Sequence, residues 1–469
     1  MNPNAWGFLC YNGYMTVVMR LKKRFYFVAA RYFRFFANFA LRRWKPRVIA
    51  VTGSAGKTTM LHMVEFELGD RAHYSHDANS AFGIAFDLLG MDGVRGSKWR
   101  WVKLIFQAPV RSLYYKRTGE FYVVEIDGER PRETEFLATW LKPEVTLWVS
   151  LGLSHAVQFE QEVKEGKFAT LDEAIAHEFA TLPANTTKQV YIDADNDLMR
   201  QATKDIQAKV IIFSRNDLKR YNVYPTRTDF IFESASFHFA QPQPKDLAIQ
   251  LLMLERLVEY LGVPLKTDFA SMPVPPGRSS YFPGKNGLKI IDSSYNAHLI
   301  SVESILEMVK NLHAGHKWLI IGDIVDQGSL EGEEHLKLAD LIAAAQPEMV
   351  ILVGRRTKEY TAPRLRELGI DTRTTLDPHK ALKFIESNTS GDETLIFKGS
   401  QYLEWIIEQL LENPEDAAKL PRREKAAVRR RAKRGLVWKN LNYILFMAGR
   451  ILPPLGHTRL VCSRKKVSR

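Results

Sequence analysis

The stretch Arg47-Val-Ile-Ala-Val-Thr-Gly-Ser-Ala-Gly-Lys-Thr-Thr-Met60 passes from a β-branched apolar run through a glycine loop into helical spacing. Val48 to Val51 reads as a buried strand, and Met60, Met63, Val64 and Phe66 set a helical period after it. Gly53 and Gly56 let backbone N–H groups converge on an anion at the helix N-terminus. Lys57 brings charge to the β- and γ-phosphates of a nucleotide, and the Thr58 hydroxyl suits a Mg²⁺ ligand. The loop is two residues shorter than the common G-x-x-x-x-G-K-T form. The candidate phosphate cradle is therefore Thr52, Gly53, Ser54, Ala55, Gly56, Lys57, Thr58 and Thr59.

Around this loop the chain is ordinary in composition. Its 469 residues are 45% hydrophobic and 25% charged, which excludes a disordered or fibrous class and leaves room for two or three domains. Cys10 and Cys462 are the two cysteines, too few for a disulfide scaffold or a four-cysteine zinc site. The net charge of +13 resides in the ends: +10 in residues 1–47 and +15 in 419–469, leaving −12 for 48–418. An acidic body with basic ends argues against nucleic acid as a partner.

Both ends suggest a surface instead. On a helix, Arg20, Arg24, Arg31, Arg34 and Arg42 share one stripe, while Phe25, Val28, Tyr32, Phe35, Phe36 and Phe39 cover the opposite side. Arginines inside this stretch exclude a spanning helix, which needs about 20 nearly uncharged residues. The pattern fits an amphipathic helix on an anionic membrane face, or else one packed on the protein's own core. Arg422 to Arg434 is a second basic run, followed by an apolar stretch from Leu441 to Leu452. It reads equally as a solvated tail or as a second anchor.

Further segments follow in order. They are His76-Asp-Ala-Asn79-Ser-Ala-Phe-Gly83, Tyr122-Val-Val-Glu125-Ile-Asp127-Gly, and the apolar strand from Lys142 to His155. Beyond these come Pro276-Gly277-Arg278, Ile290-Ile-Asp292-Ser-Ser-Tyr295-Asn296-Ala297, Ile320-Ile-Gly322-Asp323 with Glu334-His335, and Phe397-Lys398-Gly399-Ser400. With T-G-S-x-G-K-T-T at the head, this ordered series resembles the Mur ligases, and within them the MurF branch. The resemblance runs from about residue 47 to 411.

It implies an ATP-dependent amide ligase: a carboxylate attacks the γ-phosphate, and an amine then displaces phosphate from the acyl phosphate. Such chemistry needs cations and aligned donors more than a covalent nucleophile. The resemblance assigns Lys57, His155 and Arg278 as catalytic, and Thr58, Glu125 and His155 as Mg²⁺ ligands. It turns Asp292 and Asn296 toward the nucleotide. By itself, His155 after an apolar strand reads as a structural hydrogen-bonder, and Asp292 as shaping a turn.

The departures are specific. Where the family carries a carbamoylated lysine, the run Ala174-Ile-Ala-His177-Glu178-Phe has none, so His177 or Glu178 is the expected substitute. The stretch approaching adenine reads Asp246-Leu-Ala-Ile-Gln250, and Gln401 replaces the late arginine. Only 46 residues precede Arg47, so the family's N-terminal domain that grips the UDP-sugar is expected to be missing.

The expected fold is α/β: a P-loop central domain with a parallel sheet, then a smaller Rossmann-like C-terminal α/β domain, flanked by basic amphipathic helical ends. The expected boundaries are 1–46, 47–272, 273–414 and 415–469. The expected activity is MurF-type ligation in peptidoglycan precursor synthesis, joining a UDP-MurNAc-peptide or related carboxylate to an amino acid or dipeptide such as D-Ala-D-Ala. Two other readings remain: a Mur-like ligase on a lipid-linked acceptor, and a membrane-bound nucleotide-binding protein that has lost catalysis. The expected state is a cytoplasmic monomer, peripheral at the inner face of the plasma membrane.

Overall fold

The computed structural model describes residues 25–436, apart from 77, 94–97, 154, 296, 326 and 400–401. Asn296, Arg20, Arg24 and the Leu441–Leu452 stretch lie outside the described residues.

Six strands build the first sheet: β1 (Arg47–Thr52), β2 (Ala72–Tyr74), β3 (Phe121–Ile126), β4 (Val145–Trp148), β5 (Gln189–Asp193) and β6 (Lys209–Phe213). Their order is β2-β3-β1-β4-β5-β6, all parallel. β1 is central, with Ile49 level with Val123 on one side and Val145 on the other. A strand covered on both faces must be apolar throughout, which is why Val48–Val51 carries no alternation. Its C-terminal edge is where the glycine loop emerges.

A three-stranded antiparallel sheet follows, β7 (Arg220–Tyr224), β8 (Arg227–Ile231) and β9 (Ser236–Phe239). The second large sheet comprises β10 (Ser280–Pro283), β11 (Lys289–Ser293), β12 (His316–Gly322), β13 (Met349–Val353), β14 (Thr372–Thr375) and β15 (Glu393–Lys398). Its order is β10-β11-β15-β12-β13-β14, with only β10 antiparallel. Gly399 lets β15 end hard against β12: a Cβ there would sit 2.4 Å from the Gly322 nitrogen.

The helices that matter below are α1 (25–44), α2 (Lys57–Leu68), α3 (Ala81–Leu88), α4 (Lys98–Tyr114) and α5 (Glu133–Leu141). α1 corrects the two-sided expectation for the N-terminal segment. It packs on the protein through a third face, Ala30, Phe33, Ala37 and Ala40, all buried against α3, α4 and α5. Small alanines allow that close approach, while Phe33 fills the space between Phe86 and Trp101. The stripe of Phe25, Val28, Tyr32, Phe35 and Phe39 stays exposed, and Phe36 is half-buried. Among the described residues, no helix is long and apolar enough to cross a membrane.

The C-terminal basic run is also partly structural, not wholly solvated. Arg422 donates to the Ser294 carbonyl at 2.9 Å. Arg423 and Arg431 both pair with Glu408, a buried carboxylate on the helix Leu403–Leu410. A carboxylate taken out of water needs such partners.

Candidate active site

β1 delivers the glycine loop, and β4 braces it. The Ser54 N–H donates to the Ser150 carbonyl at 3.1 Å, and the Ala55 N–H to the Ser150 hydroxyl at 2.8 Å. Gly53 is required here, because at its φ of 141° a Cβ would lie 2.7 Å from the Ser150 oxygen. Gly56, at φ 81°, opens α2 with no side-chain cap. The first helical N–H groups therefore remain for an anion. Two residues of the expected cradle turn their side chains elsewhere. The Thr52 hydroxyl donates to the Ile126 carbonyl at 2.9 Å, and that of Ser54 to the Gly152 carbonyl at 2.7 Å. Both shape the loop by hydrogen bonding the neighbouring strands' ends.

Lys57 is buried, donating to its own loop at the Gly53 carbonyl (2.5 Å) and pairing with Asp127 Oδ1 at 3.1 Å. Asp127 comes from the end of β3. Burial works to raise its carboxyl, but Lys57 and His155 outweigh that and hold it below the usual range. The metal ligands expected from the sequence are Thr58, Glu125 and His155, and Asp127 is not among them. The structure gathers Asp127, Glu129 and His155 closely enough for one ion. His155 holds a left-handed backbone at φ 53° as it starts the helix Ala156–Lys164, and its ring meets that of His298 at 5.1 Å.

Mg²⁺ fits this donor set. Asp127 and Glu129 offer the hard carboxylate oxygens that it prefers, whereas Glu125 falls outside this cluster and the Thr58 hydroxyl accepts from Arg278. His155 completes a cluster whose donors lie on the end of β3 and the loop after β4. A second cluster, His62, Glu65 and His76, lies on α2 and after β2.

The C-terminal lobe closes the site. Arg278 Nη2 donates to the Thr58 hydroxyl at 3.0 Å, and its guanidinium lies 4.8 Å over the Tyr295 ring. Burial lowers its proton affinity, while Glu125, Tyr295 and Asp127 oppose that. Lys398, at the end of β15, is buried and its ammonium is pushed down to about 7, first by burial and then by Arg278, with Asp292 opposing. Asp292 itself is fully buried behind the cavity wall, which Ser293 and Tyr295 line instead. Its Oδ1 accepts from the Ser294 N–H at 2.9 Å, and burial raises the carboxyl to about 6. Asp292, expected to face the nucleotide, lies beside Lys398 behind the residues that line the cavity.

Arg278 and Lys398 border a cavity of about 610 Å³ between the lobes, within the range of roughly 300–1,000 Å³ usual for small-molecule sites. Its wall includes Gly56, Thr59, Asn196, Arg215, Arg278 and Lys398. The stretch that departs from the family's adenine contact is present too, through Asp246, Ile249 and Gln250. Gln250 presses so near the loop that a Cβ on Gly56 would lie 2.3 Å from its Nε2.

Of the two expected substitutes for the missing lysine, Glu178 packs against Gly128, between Asp127 and Glu129, but its carboxylate is engaged elsewhere. Both oxygens of Glu178 are occupied, accepting from the backbone N–H groups of Arg132 and Thr134 at 2.6 Å each, at the start of α5. His177 is exposed beside Phe168. On the helix Leu171–Ala184 one turns into the core and the other to solvent.

Residues 277–401 match the family described as Mur ligase, glutamate ligase domain. The chain is 23% identical over 385 residues to the UDP-N-acetylmuramoyl-tripeptide–D-alanyl-D-alanine ligase of Escherichia coli K12, covering 78% of this chain and 77% of that protein. To the enzyme of the same name from Bacillus subtilis 168 it is 22% identical, covering 80% and 78%. Its fold matches the MurF ligase of Thermotoga maritima solved with ADP, with a TM-score of 0.64, 18% identity, and coverage of 83% and 84%. The C-terminal lobe thus matches a Mur ligase domain, and over most of its length the chain is similar in sequence and fold to MurF ligases.

Proposed function

We propose that this protein is an ATP-dependent amide ligase of MurF type, joining the carboxylate of a UDP-MurNAc-peptide to D-Ala-D-Ala. The observation that carries the reading is that Arg278 of the C-terminal lobe lines one cavity with Gly56 and Thr59 of the glycine loop and its helix and donates to Thr58, next to Lys57 with its partner Asp127. The substrate carboxylate oxygen attacks the γ-phosphorus and ADP leaves, forming the acyl phosphate. The amine then attacks the carbonyl carbon, phosphate leaves with the C–O electron pair, and the amine's proton passes to solvent or a nearby base.

Lys57 and Arg278 bind the phosphoryl oxygens where charge accumulates. Asp127, Glu129 and His155 are the residues that would hold Mg²⁺, which when bound neutralises phosphate charge. Lobe contact through Arg278 excludes water from the acyl phosphate. The exposed aromatic stripe of α1, with arginines beside it, supports peripheral attachment at an anionic membrane face.

The test is phosphate release from ATP with UDP-MurNAc-tripeptide and D-Ala-D-Ala, with the amide product identified by mass. Release that depends on both substrates supports the reading. ATP turnover indifferent to either substrate overturns it.

A further inference from the structure

α1 and α4 lie side by side and run in the same direction. Tyr32 donates its hydroxyl proton to the Ile105 carbonyl at 2.8 Å, and further along Arg43 Nη1 donates to the Ser112 carbonyl at 2.9 Å. Each helix turns an apolar stripe to solvent. On α1 it is Phe25, Val28, Tyr32, Phe35 and Phe39; on α4 it is Trp99, Val102, Phe106, Val110 and Leu113. Steps of three and four residues hold each stripe on one face, distinct from the faces that Phe33 and Leu104 bury. Trp99 is 82% and Phe106 74% exposed. Paired apolar stripes of this length are more than a monomer ordinarily leaves in water.

Charge selects the occupant. Neither 25–44 nor 98–114 contains an aspartate or glutamate. On the flank of α1 away from α4, Arg31, Arg34, Arg42 and Lys45 join Lys142 around an open cleft of about 830 Å³ whose lining holds no acidic residue. Arg34 donates to the Phe136 carbonyl at 2.8 Å and lies over the Phe136 and Trp140 rings. Burial, and then Arg31 beside it, lower its proton affinity, so cations there are crowded and lack a counter-charge. Apolar stripes rimmed only by cations complement a surface that is apolar beneath and anionic above.

We infer that α1 and α4 form one docking surface for an anionic phospholipid bilayer, with the two stripes entering the acyl boundary and the cationic cleft taking a lipid phosphate. This deepens the membrane reading of α1 and is independent of the ligase reading, because neither helix carries a group of the active site.

The experiment is co-sedimentation of the full chain, without nucleotide, on vesicles of phosphatidylcholine alone or mixed with phosphatidylglycerol. It compares wild type with Trp99→Ser/Phe106→Ser/Leu113→Ser, Phe35→Ser/Phe39→Ser, Arg31→Gln/Arg42→Gln/Lys142→Gln, and Lys57→Ala. All but the last alter exposed side chains, and thermal melts check that each variant is folded.

Wild type and Lys57→Ala should bind the mixed vesicles. Each serine variant should lose affinity by about tenfold or more. The glutamine variant should lose the preference for phosphatidylglycerol, and millimolar inorganic phosphate should not release bound protein. If the α4 variant binds as wild type does, the two-helix surface is overturned while the reading of α1 stands. If wild type ignores phosphatidylglycerol, both membrane readings fall, and phosphate release in solution still decides the ligase reading. Three other results overturn the inference: self-association that the serine variants abolish without vesicle binding, binding that appears only after deletion of 1–24 or 437–469, or release by inorganic phosphate.

Discussion

Arg278 of the C-terminal lobe donates to the hydroxyl of Thr58, in the first turn of the P-loop helix, across 3.0 Å. The lobes therefore touch through a group that the proposed reaction would use. Replacing Arg278 with alanine should lower kcat on the order of 10²–10³-fold, the usual loss when one charge-stabilising donor is removed. KM for ATP should rise much less, because Lys57 and the loop N–H groups still hold the phosphates. Steady-state kinetics over an ATP series checks this; a loss confined to KM would place Arg278 in ground-state binding only.

Lys57→Ala should abolish ligation and also weaken the fold. Asp127 stays largely buried without its main cation, and breaking such a pair costs on the order of 3 kcal/mol. Adding Asp127→Asn to Lys57→Ala should recover part of the stability and none of the activity. Urea unfolding beside phosphate release makes the comparison. Wild-type turnover by Lys57→Ala at saturating ATP would falsify the P-loop assignment.

The strand, glycine loop and helix around Lys57 were legible in the sequence because they depend on local spacing, whereas the β3 and β4 ends and Arg278 were picked out only by the family resemblance. What stayed hidden depends on tertiary contact. Nothing near Ser150 announces that its hydroxyl and carbonyl brace the loop. Nothing near Asp292 says that Ser293 and Tyr295 would take its place on the cavity wall. Arg423 and Arg431 read as tail charges because Glu408, their shared partner, lies on another helix. The stripe on α4 is different: Trp99, Val102, Phe106, Val110 and Leu113 carry a period as plain as that of α1, and the signal was available in the sequence.

Lys398 makes the site's response to nucleotide depend on pH. Its ammonium titrates near 7 when the site holds no anion, so at pH 8 it is mostly neutral. A polyphosphate in the cavity stabilises the charged form, raises that value and draws in a proton. Calorimetric titration with ADP at pH 8, in buffers of different ionisation enthalpy, should show uptake approaching about one proton, fading toward pH 6 where the lysine is already charged. Lys398→Met should remove the uptake. Equal uptake in the variant would assign the proton to another group.

Glu178 should behave as a helix-capping carboxylate and not as a metal ligand. Burial raises it to about 7, with its two backbone donors opposing. Its unfolded value is near the ordinary one of about 4.3. Between those values the native state holds more protons than the unfolded chain. Its contribution to stability is therefore complete below about 4.3 and is lost as pH rises through 7. Glu178→Gln should flatten that part of the stability–pH curve, and it also gives up one acceptor for the N–H groups of Arg132 and Thr134. The Mg²⁺ concentration for half-maximal activity should not move, because neither oxygen faces the Asp127, Glu129 and His155 cluster while both are engaged at α5. A several-fold rise in that concentration, with the stability curve unchanged, would return Glu178 to the metal site and leave the start of α5 capped by something else.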